Sequence, residues 1–200
     1  MAARPPGPLA GPCYAGPSPY ARPVRHLALS ALGRDRPGIV AAVTAALLRH
    51  ALNIEDSQMT ILRGHFAMVL VVSGPESLAV AELRRDLEEV GRELGLEAIS
   101  LAEVADAAGA PPEPTHIVAV YGADHPGIVH AAARAVAEAE GNITDLNTRL
   151  SGEGVSALYV LMMEVAAVPD RVEALSEALE AVGRTEGVEV TLRELEHHEL

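Results

Sequence analysis

A carboxylate, a basic side chain, a proline and a glycine occur twice in the same order in this chain. Asp35-Arg36-Pro37-Gly38-Ile39-Val40 returns as Asp124-His125-Pro126-Gly127-Ile128-Val129, and Gly33 and Gly122 stand just ahead of the two copies. Each copy lies between a short apolar run and an amphipathic one, where a strand would hand over to a helix. At such a junction the free N–H groups and the positive end of the helix dipole favour a carboxylate or another anion. Gly38 and Gly127 lack a Cβ, so a ligand or a second backbone can come close. A tight strand-to-helix turn with an Asp cap and nothing bound has the same residue types. Spacing alone leaves both readings open.

The elements around these loops repeat as well. Gly33 and Gly122 are 122 − 33 = 89 positions apart, and at the same offset Asn53-Ile54-Glu55-Asp56 falls on Asn142-Ile143-Thr144-Asp145. The chain is therefore expected to be a tandem of one small module. The boundaries are a Pro- and Gly-rich tail over 1–24, a first module over 25–104, a linker over 105–114 and a second module over 115–200. The tail holds too many φ-restricted, donor-less residues for a regular element and reads as disordered. Its Tyr14 and Tyr20 could form a small docking patch.

In the first module Arg25–Leu32 alternates like a strand that Gly33 ends. Asp35 can cap the next helix, with Pro37 in its first turn. That helix, Pro37–His50, is expected to bury Ile39, Val40, Val43, Ala46 and Leu47. Asn53–Leu62 is a strand in which Ile54 and Met59 fall on opposite faces under strict alternation, so a bulge is expected near Asp56 and Ser57. A turn at Arg63-Gly64-His65 leads to a strand, Phe66–Val72, apolar on both faces. Gly74-Pro75 stops it and starts a helix with a stripe of Val80, Leu83, Leu87, Val90 and Leu94. Gly95 ends that helix, and Leu96–Val104 is the fourth strand.

The second module repeats the order. Thr115–Tyr121, Asn142–Leu150, Val155–Val165 and Val188–Leu195 read as strands. Pro126–Glu140 and Pro169–Arg184 read as helices, the latter with a stripe of Val172, Leu175, Leu179 and Val182. Each module is thus α+β, a ferredoxin-like β-α-β-β-α-β sandwich: an antiparallel four-stranded sheet with helices on one face. Two helices cover one face only, so the other is expected to meet a second sheet, from the sister module or another chain.

Composition narrows the partners. There are 15 basic residues, all of them Arg, and 28 acidic ones, for a net charge of −13. A protein that neutralises phosphates needs clustered cations, so direct nucleic-acid binding and an anionic membrane surface are disfavoured. Cys13 is the single cysteine, which rules out a disulfide framework and a Cys-ligated metal site. No apolar run approaches a membrane span and no signal peptide is evident, so a cytoplasmic location is expected. His125 and His130 are five apart, not the i, i+4 spacing that aligns two ligands on a helix, and no metal or cofactor is expected. His197-His198 at the acidic terminus reads as solvated. Glu88-Glu89 and Glu177 with Glu180 read as helix positions opposite the core.

The sequence Asp35-Arg-Pro-Gly-Ile-Val40 after a strand, followed by Asn53-Ile-Glu-Asp-Ser57, resembles the ACT domain, a small amino-acid-sensing module. The resemblance covers about residues 25–104 and 115–196, and within the family it is similar to the tandem type of the glycine cleavage system transcriptional repressors. The second module departs from the pattern: His125 stands in place of Arg and Thr144 in place of Glu, which leaves equal ligand affinity of the two modules unsupported. The resemblance implies a regulator without catalysis, a homo-oligomer that binds an amino acid, such as glycine or serine, where modules meet. Its candidate ligand residues are Gly33, Asp35, Arg36, Pro37, Gly38 and Ile39, with Asp124, His125, Gly127 and Ile128. Backbone N–H groups of Gly38, Ile39, Gly127 and Ile128 would hold the ligand carboxylate, and Asp35 or Asp124 could take its ammonium. It further implies action through a protein partner, such as a DNA-binding regulator.

Two other classes remain. The ferredoxin-like fold also hosts catalysts such as acylphosphatases, in which an Arg like Arg36 would bind phosphate. Here His125 replaces it in the second copy, and no nucleophile pairs with a base, so an enzyme is not expected. Alternatively the chain acts in trans as a regulatory subunit or interaction scaffold for a metabolic enzyme.

Overall fold

The computed structural model describes residues 24–104, 112–152 and 158–195. The tail with Tyr14 and Tyr20, most of the linker, the turn beyond Gly152 and His197-His198 lie outside the described residues. Contacts divide the chain between Ala108 and Gly109 into two units.

The first unit runs β1 (Val24–Arg34), α1 (Ile39–Arg49), β2 (Asn53–Leu62), β3 (His65–Pro75), α2 (Val80–Leu94) and β4 (Leu96–Val104). The second runs β5 (His116–Gly122), α3 (Ile128–Glu138), β6 (Asn142–Ser151), β7 (Leu158–Ala166), a 3-10 turn (Pro169–Arg171), α4 (Val172–Glu186) and β8 (Glu189–Glu194). Both sheets are wholly antiparallel, in the orders β2-β3-β1-β4 and β6-β7-β5-β8. Each unit is a ferredoxin-like α+β module.

Alternation sorts the strand residues. Leu27, Leu29 and Ala31 of β1 and Phe66, Met68, Leu70 and Val72 of β3 point to the helices and are buried with Ile39, Val43, Ala46, Leu47, Leu83 and Leu87. The second core has the same plan, with Val118 and Val120 of β5 and Leu161, Met163 and Val165 of β7 under α3 and α4. Hydrophobic burial at period 2 on the strands and 3.6 on the helices fixes these layers.

Several expected boundaries move. β1 continues past Gly33 to Arg34 and β3 past Gly74 to Pro75, because ladder pairing with neighbours outweighs the local turn signal. Gly33 is paired on both sides, with Phe66 and Leu96. α1 begins at Ile39, two residues after Pro37, and α2 at Val80, well after Pro75. Val40 is exposed rather than core, since α1 turns it away from the sheet. The expected bulge is present: β2 slips against β3 between Ile54 and Asp56, and β6 slips at the matching Ile143 and Asp145. Gly95 and Gly187, both left-handed, end α2 and α4, the conformation in which a residue without Cβ is least strained.

Candidate functional site

The β1–α1 loop shows why the repeated residues occur in their order. Gly38 is the N-cap of α1 with φ 97°, and Gly127 is the N-cap of α3 with φ 115°. At this left-handed geometry a side chain would be strained, so glycine is required. Neither N-cap is completed by a side-chain hydrogen bond. Asp35 is therefore not the helix cap that the sequence suggests. It lies three residues ahead of Gly38, and its backbone N–H donates instead to the Gly64 carbonyl at 2.9 Å. That bond ties the loop to the turn of the β2–β3 hairpin, and among the described residues the Asp35 carboxylate has no partner.

Asp35, Arg36, Pro37 and Gly38 are all exposed at this end of the first sheet, and a Cβ on Gly38 would meet nothing within 4 Å. The first-turn N–H groups of α1, from Ile39 on, have no intrahelical acceptor. The Ile39 side chain is in the core, so only its backbone is offered outward. Arg34, cross-strand from His65, and Arg63 in the turn add positive charge to the same end. The arrangement is a small, open, N–H-rich surface beside a free carboxylate. Its chemistry suits a carboxylate and an ammonium together.

Gly33 belongs elsewhere. An added Cβ would lie 3.0 Å from both Leu96 Cα and Leu96 Cδ2, so its missing side chain is taken up by packing against β4. Gly122 is the counterpart, where a Cβ would lie 2.5 Å from Val188 Cγ1.

In the second loop Asp124 and Gly127 are exposed and the Ile128 side chain is core. His125 differs from Arg36. Its Nε2 lies 2.9 Å from the Glu186 carbonyl at the end of α4, and its Nδ1 lies 3.1 Å from the Pro126 carbonyl. The Glu186 carboxylate is 3.8 Å from Nδ1. Two acceptors facing two ring nitrogens favour the doubly protonated ring, so the Pro126 and Glu186 carbonyls, helped by the charges of Glu186 and Asp124, raise its pKa. Desolvation opposes this. The ring is thus engaged within its own module, while Arg36 has no side-chain partner among the described residues.

Asn53 and Asn142 open β2 and β6. Asn53 pairs with Ser73, which in turn pairs with His26 near the start of β1, so it sits at the opposite end of the sheet from Gly33. It is not part of the loop site. The hairpin turn at Gly64 is part of it, and the sequence reading left it out. The cue available was the register that a tight Arg63-Gly64 turn imposes on β2 and β3. Among the described residues no group of three or more His, Cys, Asp or Glu could hold a metal ion, and no helix is long and apolar enough to cross a membrane.

Comparisons with known proteins agree with the fold. Models of the ACT domain match residues 25–99 and 116–184. A UPF0237 protein of Methanopyrus kandleri is 44% identical over 72 residues, 36% of this chain and 80% of the relative. Among solved structures, an unknown protein from Galdieria sulphuraria is similar with a TM-score of 0.72 and 28% identity, over 86% of this chain and 99% of that one. A candidate glycine cleavage system transcriptional repressor is similar in fold, with a TM-score of 0.66 and 20% identity, over 87% of this chain and 99% of the other. ACT domains are typical of regulatory, amino-acid-binding proteins. The chain belongs to the ACT-domain family and carries two ACT domains, one in each half.

Proposed function

We propose that this protein is a non-catalytic regulator that binds a small amino acid at its strand-to-helix loops and passes the signal on by contact with another protein. The observation that carries the reading is the uncapped helix start at Gly38 beside the unpartnered Asp35 carboxylate. Free N–H groups at the dipole's positive end would take the ligand carboxylate. Asp35 would take the ammonium, and Arg36 would close the carboxylate side. A ligand with a small side chain suits a loop this exposed, and the fold of the candidate glycine cleavage repressor makes glycine the first one to try, then serine. In the second loop Asp124 and the N–H groups of Gly127 and Ile128 are available, but His125 is held by Glu186, so weaker binding is expected there. The net charge of −13 favours a protein partner over nucleic acid. A transcriptional co-regulator working through a DNA-binding protein fits these properties.

Calorimetric titration of the full chain with the twenty amino acids tests the proposal. The expected result is saturable binding of glycine or serine, weakened by Asp35→Asn and by Gly38→Ala while the chain stays folded. No heat with any amino acid in a folded sample would overturn it.

A further inference from the structure

A hollow of about 220 Å³ lies on the sheet face of the second module that α3 and α4 leave open, with Asp145, Asn147, Arg149, Val160, Met162 and Glu164 among its lining residues. Strand alternation and one irregularity put them there. Leu161, Met163 and Val165 of β7 are buried under the helices, so Val160, Met162 and Glu164 point the other way. On the edge strand β6 the slip between Ile143 and Asp145 sets Asp145 opposite Glu164, Asn147 opposite Met162 and Arg149 opposite Val160. Without that extra residue the three polar side chains of β6 would turn to the helix face.

The charges around the hollow are not balanced by their neighbours. Asp145 and Glu164 are directly opposite each other in the ladder, an arrangement that repels. Among the described residues neither has a cation to neutralise it; Asp145 accepts from Asn147 Nδ2, at 2.6 Å. Arg149 at the other end has no partner among the described residues either. It stands 149 − 145 = 4 positions from Asp145 on β6, roughly 13 Å at the rise of an antiparallel strand. Met162 and Val160 form an apolar floor between the two ends. The hollow thus has spare negative charge at one end, spare positive charge at the other and no polar group to spare in the middle.

The first module has the same strands and the same slip but not the same lining. Asp56, Gln58 and Thr60 of β2 face Val71, Val69 and Ala67 of β3 at the matching places. One carboxylate remains there, with no second acid opposite it and no cation. The charged hollow belongs to the second module.

We propose that this hollow binds a small molecule with an ammonium at one end, a carboxylate at the other and a short apolar chain between them. The ammonium sits between Asp145 and Glu164 and replaces their repulsion by two attractions. The Arg149 guanidinium takes the carboxylate through two parallel N–H donors, and its long side chain closes part of the distance between the ends. The chain of the ligand lies on Met162 and Val160. A hollow of about 220 Å³ is below the roughly 300–1,000 Å³ of a drug-sized site, so the ligand is short. An α-amino acid carries both charges on one carbon and does not span the two ends, which separates this ligand class from the one proposed for the loops. No residue of the loops takes part, so the site stands whether or not an amino acid binds at Gly38.

Calorimetric titration of the full chain with 6-aminohexanoate tests the proposal, with hexylamine and hexanoate as probes that each lack one charge. Saturable binding of 6-aminohexanoate is expected, and binding of either single-charge probe at least 10-fold weaker. Glu164→Gln and Arg149→Met should each weaken 6-aminohexanoate about 10-fold or more, while Asp35→Asn in the first loop leaves it unchanged. Glycine titrated into Glu164→Gln should behave as it does with wild type, which keeps the two sites distinct. Melting curves show that the variants are folded, and the three probes compared on wild type need no variant at all. Failure of 6-aminohexanoate to bind wild type would overturn the proposal. So would hexylamine or hexanoate binding as tightly as the zwitterion, or 6-aminohexanoate binding unchanged by both Glu164→Gln and Arg149→Met.

Discussion

The His125 ring reaches 2.9 Å from the backbone carbonyl of Glu186, joining the loop before α3 to the last residue of α4. A protonated imidazole at a helix C-terminus also meets the negative end of the helix dipole. Because the folded-state pKa is raised from the ordinary 6.5, the stabilisation is full below about 6.5 and is lost as pH rises through the raised value. Thermal unfolding of wild type should therefore show a loss of melting temperature as pH rises above about 6.5 that His125→Gln lacks. Parallel curves for the two proteins would show that the contact does not depend on the ring's charge.

Asp86 makes the opposite case at acid pH. Its carboxylate lies 3.0 Å from His50 Nε2 and 3.4 Å from Arg49 Nη2, linking α2 to the end of α1. The hydrogen bond from His50 is the main cause that lowers its pKa from the ordinary 3.8. The contribution is present above about 3.8 and is lost as pH falls through the lowered value. Asp86→Asn is expected to be less stable than wild type at pH 5, with the difference shrinking below pH 3. Melting curves across that range check it.

Ala51 and Glu140 occupy matching places in the two modules and both have positive φ, 54° and 59°. Each follows a helix whose last turn closes by backbone bonds back to residues 47 and 136, from Leu52 and Gly141. A left-handed residue there favours glycine. Ala51→Gly should stabilise the first module by about 1 kcal/mol, measured by urea unfolding. Glu140→Gly should gain less, since it removes the 2.8 Å pair with Arg171.

Gly33 and Gly38 should separate packing from backbone strain. Gly33→Ala drives a Cβ to 3.0 Å from Leu96 Cα and is expected to cost about 1–3 kcal/mol. Gly38→Ala meets no neighbour but must hold φ 97°, at about 1–2 kcal/mol. Calorimetric titration of both then separates a packing glycine from a ligand-facing one: amino-acid affinity should fall for Gly38→Ala and stay close to wild type for Gly33→Ala.

The two modules, their element order and most of their core residues, though not Val40, were legible from the sequence. Hydrophobic periodicity is a local signal, and an 89-residue repeat states it twice. The slip near Asp56 was legible too, because Ile54 and Met59 cannot share a face without an extra residue between them. The ends of the elements were not. β1 runs through Gly33 since pairing with Phe66 and Leu96 on both sides outweighs one residue's turn propensity. Asp35 looked like a cap because caps are read from residue type, while capping depends on where the helix starts. A left-handed Gly38 moves that start to Ile39 and leaves the carboxylate free. His125 read as a variant of Arg36, and the end of α4, 61 positions away, made it a tether instead. Arg193 of β8 and Asp145 of β6 fall in one row of the second sheet although 193 − 145 = 48 positions separate them in sequence. Residue type and spacing determined what each segment is; which side chains from distant segments face one another was decided by strand order and register alone.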